Sequence, residues 1–173
     1  MSHAWVELDL DVLKRNIGRL REALPSRVQI IFVVKANAYG HGVDSVARKA
    51  WECGVTWYAV AHLSEALALR RILPGARILI VGAMEASDVP VAIRESFIPV
   101  VVSQEHGGSL ARAAARAGVA LACHAKVDTG MGRLGFAWQT AARELAGIAV
   151  GGELVFSGIC SHFSSSDDPD GSF

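Results

Sequence analysis

The stretch that decides the fold is Val33-Val34-Lys35-Ala36-Asn37-Ala38-Tyr39-Gly40-His41-Gly42. An apolar run over residues 28–34 leads into it and predicts a buried strand, and a helical pattern begins after Gly42. A lysine at the carboxyl end of such a strand lies where α/β folds keep their catalytic groups. A desolvated amine at that place is nucleophilic towards an aldehyde, although a surface lysine that merely ends a strand is the alternative.

The rest of the chain repeats this strand-then-helix pattern. Apolar runs rich in β-branched residues predict strands at Gln29–Val34, Trp57–Ala61, Arg77–Val81, Ile98–Val102, Ala120–Val127 and Leu154–Ser161. Amphipathic stretches predict helices over residues 13–24, 43–51, 63–70, 103–117 and 141–148, with Ser103 as an N-cap and Gly118 as a stop. Alternating strands and helices with short loops imply a parallel sheet that helices cover on both faces.

Composition excludes several classes of protein. The chain has 173 residues, with 17 basic and 17 acidic side chains. It therefore lacks the excess of positive charge that would indicate binding to nucleic acid or to a membrane surface. No apolar run approaches the ~18 residues that span a bilayer, and the first residues do not read as a secretory signal. The three cysteines show no zinc-binding spacing, so we expect no metal and a reducing, cytoplasmic location.

Two further strings carry candidate binding residues. The first runs from His124 through Lys126 and an Asp-Thr-Gly turn to Arg133, which glycines flank on both sides. The guanidinium of Arg133 offers a planar fork of donors for a phenolate or a carboxylate, although an ordinary loop ion pair is the alternative. The second string ends a predicted strand on His162, for which a structural hydrogen-bonding role is the alternative.

Together these strings resemble the alanine racemase family, in the pyridoxal-phosphate lysine motif around Lys35 and in the KVDTGMxRxG segment around Arg133. The resemblance begins at residues 4–9 and implies an eight-stranded (β/α)8 TIM-type barrel followed by a β-rich C-terminal domain. A complete barrel takes ~250 residues. The chain is therefore expected to be an incomplete N-terminal pyridoxal-phosphate-binding barrel domain, residues 1–173, truncated after about six strands and without the C-terminal β domain. The first ~10 residues are expected to pack on that missing domain.

The resemblance also implies roles for individual residues. Lys35 holds pyridoxal phosphate as a Schiff base and is the catalytic residue, and Tyr39 bonds the cofactor phosphate. Arg133 donates to the ring oxygen of the cofactor, and His162 packs its ring against the pyridoxal ring. Lys126 matches a lysine that is carbamylated in many relatives. Asn37 is expected to shape the loop, whereas Glu65 begins a helix, where the helix dipole alone explains a carboxylate.

The activity that the resemblance implies is interconversion of L-alanine and D-alanine, which supplies D-alanine for the bacterial cell wall. In the family a second acid/base, a tyrosine, comes from the C-terminal domain of the partner subunit of a homodimer. Neither tyrosine of this chain, Tyr39 or Tyr58, is a credible counterpart, so the chain alone is expected to be inactive. The alternatives are a non-catalytic pyridoxal-phosphate-binding barrel protein, and a racemase, aldolase or decarboxylase acting on another small amino acid such as serine.

Overall fold

The computed structural model of the chain describes residues 5–169. Strands and helices alternate through this range. The order is α1 Leu10–Ala23, β1 Ile31–Val33, α2 Lys35–Tyr39, α3 Val43–Glu52, β2 Trp57–Val60, α4 Leu63–Ile72, β3 Arg77–Ala83, α5 Val89–Glu95, β4 Ile98–Val101, α6 Gln104–Ala117, β5 Leu121–Asp128, β6 Phe136–Ala137, α7 Ala141–Ala149 and β7 Leu154–Cys160. A 3-10 turn, Ala86–Asp88, precedes α5.

The chain divides into two compact units, the first ending at Val81 and the second beginning at Gly82. In the first unit, β1 pairs with β2 and β2 with β3, both in parallel, so that Phe32 lies opposite Tyr58. Tyr58 is fully buried, and its hydroxyl donates to the carbonyl of Ala47 in α3 at 2.9 Å. This bond satisfies the one polar group of a large core side chain and ties β2 to the helix that covers it.

In the second unit, β5 is the strand with the most neighbours. It pairs in parallel with β4, with the longer strand β7 and with the two-residue strand β6. The ring of His124 on β5 lies against Gly158 on β7, where a Cβ atom would come within 2.7 Å of the ring. A side chain at position 158 would therefore force the His124 ring to move, and burial of His124 lowers the pKa of its imidazole.

Most of the predicted elements are present, and the parallel pairing confirms the α/β class. Ser103 caps α6 by accepting the amide of His106 at 3.1 Å, and Gly118 ends that helix in a left-handed conformation, both as predicted. Strand β1 is shorter than the predicted Gln29–Val34, and α1 begins three residues earlier than residue 13. The apolar pattern predicts neither α5 nor β6, because α5 has only seven residues with a proline in its first turn and β6 has only two residues.

No helix in the described part of the chain is both long and apolar enough to cross a membrane. All three cysteines are free thiols. Cys123 is buried, and burial raises its pKa to about 12, whereas Cys53 and Cys160 are partly exposed. A thiol with so high a pKa carries almost no thiolate near neutral pH and is chemically inert there.

Candidate functional site

Lys35 begins a turn whose handedness is opposite to that of an ordinary helix. In this lysine turn, Lys35–Tyr39, the four residues 36–39 have φ angles between 51° and 55°. Left-handed conformation costs an L-residue about 1–2 kcal/mol, and only one of the four, Asn37, is of a type that tolerates it well. Contacts with the rest of the first unit must therefore hold the turn in place.

Backbone hydrogen bonds hold the lysine turn from within. The amide of Ala38 donates to Val34 at 2.9 Å, and the amide of Gly40 donates to Ala36 at 3.0 Å. The side-chain oxygen of Asn37 accepts the amide of Val43, the first residue of α3, at 2.8 Å. This bond confirms that Asn37 shapes the loop, since it fixes where the turn ends and the next helix begins.

Glu65 holds the same turn from outside. Its Oε1 accepts the amide of Ala36 at 2.6 Å, while its Oε2 accepts the amides of Ala61 at 2.7 Å and His62 at 3.3 Å. One carboxylate thus joins the residue after Lys35 to the loop that follows β2. The helix dipole, which explains a carboxylate at Glu65 from the sequence alone, does not predict this connection. The available signal was a carboxylate in the first turn of the helix that follows β2, the strand next to β1 in a parallel sheet.

The side chain of Lys35 remains available to a ligand. It is half-buried, and its Nζ lies 6.0 Å from the centre of the Tyr39 ring, at the limit of a cation–π contact. Within residues 5–169, no carboxylate is within ion-pairing distance of this amine. Tyr39 is 59% exposed, so its hydroxyl is also accessible. A largely apolar cavity of about 290 Å³ lies beside the turn, lined by Val34, Asn37, Val43, Val60, Ser64, Glu65 and Ala68.

The second unit presents Arg133 on a loop that a carboxylate organises. In this arginine loop, residues 129–135, Asp128 accepts the amides of Gly130 at 3.0 Å, Gly132 at 3.1 Å and Arg133 at 3.1 Å. These bonds, the one from Gly130 first, hold the pKa of Asp128 below its usual value. A Cβ atom on Gly135 would come within 2.8 Å of the carbonyl of Lys126, so the loop returns to β5 only with glycine there.

The structure brings the arginine loop together with the segment that carries His162. The hydroxyl of Ser161 donates to the carbonyl of Val127 at 2.9 Å and lies 2.6 Å from the hydroxyl of Thr129. Because Ser161 has only one hydroxyl hydrogen, Thr129 is the donor between the two side chains. His162 follows Ser161 directly and is exposed, as is the guanidinium of Arg133.

Lys126 lies on β5 opposite Cys160 on β7. Its Nζ donates to the carbonyl of Val127 at 3.3 Å. Burial raises the pKa of Cys160, and the positive charge of Lys126 opposes that rise. The predicted residues therefore fall into two groups, with Lys35 and Tyr39 in the first unit and Lys126, Arg133 and His162 in the second. Lys35, Tyr39, Arg133 and His162 follow the carboxyl ends of parallel strands, and Lys126 lies near the carboxyl end of β5.

Comparison with known proteins gives consistent matches. A family model described as alanine racemase, N-terminal domain, matches residues 8–173. The alanine racemase of Geobacillus kaustophilus is 41% identical over 165 residues, which cover 95% of this chain and 43% of that protein. The alanine racemase of Syntrophobacter fumaroxidans is 36% identical over 170 residues, or 98% of this chain and 45% of that protein. The chain thus spans less than half the length of the curated relatives that it matches.

Solved structures agree with the sequence matches. The crystal structure of alanine racemase from Bacillus anthracis with bound L-Ala-P has a TM-score of 0.87 and 35% identity, and covers 95% of this chain and 43% of that one. Histidine racemase from Leuconostoc mesenteroides subsp. sake has a TM-score of 0.81 and 26% identity, and the match covers 93% of this chain and 43% of that one. Alanine racemase from Bartonella henselae, with covalently bound pyridoxal phosphate, has a TM-score of 0.84, and the match covers 95% of this chain and 46% of that one. Because the identity is 23%, this match shows the fold alone. The matches confirm the predicted truncated-barrel fold.

Proposed function

Because the chain belongs to the alanine racemase N-terminal domain family, we propose that it supplies the cofactor-binding half of an enzyme that interconverts L-alanine and D-alanine. The observation that carries the proposal is Lys35, a half-buried amine without a carboxylate partner in the described residues, at the carboxyl end of a parallel strand. The product D-alanine would serve as a precursor of bacterial cell-wall peptidoglycan. Three free thiols support a reducing, cytoplasmic location.

The donor set of the chain fits pyridoxal phosphate, on which the family depends. Lys35 offers the amine that would form the covalent bond, Tyr39 offers an accessible hydroxyl for the phosphate, and Arg133 offers a fork of donors for the ring oxygen. His162 would lie against the ring face. When bound, the cofactor supplies an aldehyde for attachment and an electron sink for the bond between Cα and its hydrogen.

The residues of this chain would then handle one proton. With substrate in place, Nζ of Lys35 would take the proton from Cα, or return it, on one face of the substrate. Racemisation needs a second acid/base on the opposite face. Tyr58 is excluded because its hydroxyl is buried and bonded to Ala47, and Tyr39 belongs to the same turn as Lys35. We therefore place the second group outside residues 1–173, on the C-terminal domain of the partner subunit of a homodimer.

The arginine loop would fix the position of the cofactor ring. Asp128 orients the backbone of Arg133 and leaves its guanidinium free to bind. Carbamylation of Lys126 would convert a cation into an anion close to this loop, and we propose it as the modification that helps to hold Arg133.

Residues 1–173 are also proposed to be an incomplete barrel domain, with the first ~10 residues packing on the C-terminal domain.

One observation favours a second candidate for the substrate. Histidine racemase has the same fold as this chain at 26% identity, so the fold serves more than one amino acid. A racemase for another small amino acid, such as serine, is therefore the alternative to an alanine racemase. A non-catalytic pyridoxal-phosphate-binding protein would share Lys35 chemistry but would show no proton exchange at Cα.

Borohydride trapping tests the assignment of Lys35. Reduction of the complete protein after incubation with pyridoxal phosphate should fix the cofactor on the peptide that contains Lys35, as measured by mass spectrometry. Lys35→Ala should abolish both the trapped product and the visible absorbance of the bound cofactor. Exchange of the Cα hydrogen of alanine and of serine for deuterium, followed by chiral analysis, would separate the three candidate functions.

Lys49 provides the matched control for this experiment. It lies on α3 and pairs with Glu52 at 2.6 Å, so its amine is already occupied. Lys49→Ala should trap as much cofactor as the wild-type protein. Cofactor trapped on a lysine other than Lys35 would contradict the assignment, whatever the activity of the preparation.

A further inference from the structure

We propose that Glu65 is a positioning residue for Lys35, which sets the direction of the lysine amine by holding the lysine turn in its left-handed form. The inference rests on the proposed function, since it concerns the same lysine. Glu65 itself does not touch the reacting atoms: both of its oxygens accept backbone amides. Its effect on chemistry would pass through the backbone of Ala36.

The two oxygens of the Glu65 carboxylate accept amides from two different loops. Oε1 takes the amide that follows Lys35 directly, at 2.6 Å. Oε2 takes two amides of the loop after β2, at 2.7 and 3.3 Å. Because β1 and β2 are paired in parallel, their carboxyl ends are neighbours, and one side chain reaches both. The lysine turn is therefore fixed to a loop that is itself part of the sheet edge.

A neutral side chain cannot replace this arrangement. Three amide donors converge on two oxygens, and hydrogen bonds to a charged acceptor are stronger than neutral ones. Glutamine has one acceptor oxygen and one donor nitrogen, so it would face at least one of the two loops with an N–H group. The turn has reason to need strong bonds, because residues 36–39 all lie in a disfavoured backbone region.

The simpler explanation for Glu65 is the helix dipole, which favours an acidic residue in any first helical turn. Glu65 is the third residue of α4 and satisfies that condition. Glu105 satisfies it as well, in the first turn of α6, but its side chain is exposed. Glu65→Gln and Glu105→Gln therefore each remove one negative charge from the first turn of a helix, and only the first removes the carboxylate that holds the lysine turn.

The experiment compares these two variants in the complete protein with two measurements. The first is hydrogen exchange of the Ala36 amide without cofactor, relative to the amide of Phe97, which donates to Ala92 at 2.8 Å in the second unit. The second is titration with pyridoxal phosphate, followed by borohydride trapping at Lys35 and by the pH dependence of the visible absorbance band. We expect Glu65→Gln to speed exchange at Ala36 and to weaken loading of Lys35, each by roughly tenfold or more, and to shift the pH dependence. Glu105→Gln should change none of these.

Three results would overturn the inference. Unchanged exchange at Ala36 would show that Glu65 does not hold the turn. Faster exchange with normal loading and normal pH dependence would show that the turn does not direct Lys35. Equal effects from Glu105→Gln would restore the dipole explanation. If Glu65→Gln does not fold, Glu65→Asp, which keeps the charge on a side chain one methylene shorter, takes its place with the same expected direction of change.

Failure of the proposed function gives a different result. A wild-type protein whose Ala36 amide is protected but whose Lys35 takes up no cofactor would refute the cofactor assignment, and the inference with it. A wild-type protein that loads Lys35 while the Ala36 amide exchanges freely would leave the assignment intact and refute the inference alone.

Discussion

The carboxylates beside Lys35 and Arg133 act on backbone amides rather than on basic side chains. Glu65 accepts amides beside Lys35, and Asp128 accepts amides beside Arg133. The two cationic residues are thereby placed by their main chains, while their side chains keep no carboxylate partner in the described residues. Without a carboxylate partner, the Lys35 amine is available for the proposed covalent bond to the cofactor, and the Arg133 guanidinium is available to the ring oxygen.

At the scale of the residue, we expect Arg133→Ala in the complete protein to weaken retention of pyridoxal phosphate and to slow turnover. The loss of charge-assisted donors corresponds to about 1.5–3 kcal/mol, or roughly ten- to hundredfold in affinity. Arg133→Lys should retain the cofactor better than Arg133→Ala but less well than the wild-type protein, since an ammonium group lacks the planar fork of donors. Equilibrium dialysis of the cofactor provides the measurement.

Arg116, an exposed residue in the last turn of α6, is the matched control. Arg116→Ala removes the same charge and should leave cofactor retention unchanged. Wild-type retention in Arg133→Ala would mean that the arginine lies outside the binding site.

At the scale of the element, the segment from β5 through the arginine loop to β6 depends on the ionised form of Asp128. Its pKa is lowered in the folded chain because the ionised carboxylate accepts three amides. The stabilising effect is therefore fully present above the ordinary pKa of an aspartate. It disappears as the pH falls through the lower, folded value.

We accordingly expect the arginine loop to keep its structure at neutral and mildly acidic pH and to loosen only under strong acid. The amide chemical shifts of Gly130 and Gly132, followed by NMR as the pH is lowered, should titrate together below the normal aspartate range. In Asp128→Asn this joint titration should vanish and Arg133 should become mobile at every pH. Asp44→Asn, which removes an exposed carboxylate from α3, should leave the titration as it was.

The elements also show how far sequence reasoning reaches. Strands β2 to β5 and β7, and helices α3, α4, α6 and α7, follow from apolar periodicity, because burial repeats with the period of the backbone. The left-handed lysine turn does not follow, since alanine and tyrosine have no local preference for it. Contacts distant in sequence impose it, above all the bond from Ala36 to Glu65, 29 residues away.

The candidate site divides in the same way. Motif resemblance selects Lys35, Tyr39, Lys126, Arg133 and His162, and their roles remain predictions. It does not select the supporting contacts of Glu65 or Asp128, because the groups that these carboxylates bind are backbone amides. Every residue except proline carries such an amide, so sequence letters do not reveal which ones a carboxylate will meet.

At the scale of the whole molecule, apolar side chains are exposed on the two strands that would border the missing part of a barrel. Ile31 on β1 is 41% exposed, and Val155 and Ile159 on β7 are 50% and 73% exposed. Within residues 5–169, β2 is the strand that pairs with β1, and β5 is the strand that pairs with β7. A strand with an unpaired edge recruits other chains, and a net charge of zero opposes association weakly.

A polypeptide of residues 1–173 alone should therefore be oligomeric or poorly soluble, should bind pyridoxal phosphate weakly and should not racemise alanine. Size-exclusion chromatography, together with a D-alanine assay, provides the test. Lysine substitutions at Val155 and Ile159 should increase the monomer fraction without creating activity. A soluble wild-type monomer that racemises alanine would refute the view that this chain is part of a longer enzyme.

Residues 36–39 have left-handed backbone angles, which L-amino acids disfavour and which glycine or a D-amino acid adopts more easily. In a right-handed helix, replacing alanine by glycine is destabilising by about 0.5–1 kcal/mol. At Ala36, with φ at 51° and an exposed side chain, the achiral residue would relieve crowding instead. A mirror-image amino acid introduced there by chemical ligation would fit the backbone better than the encoded one. In a chain proposed to help make D-alanine, position 36 is thus one that D-alanine itself would suit.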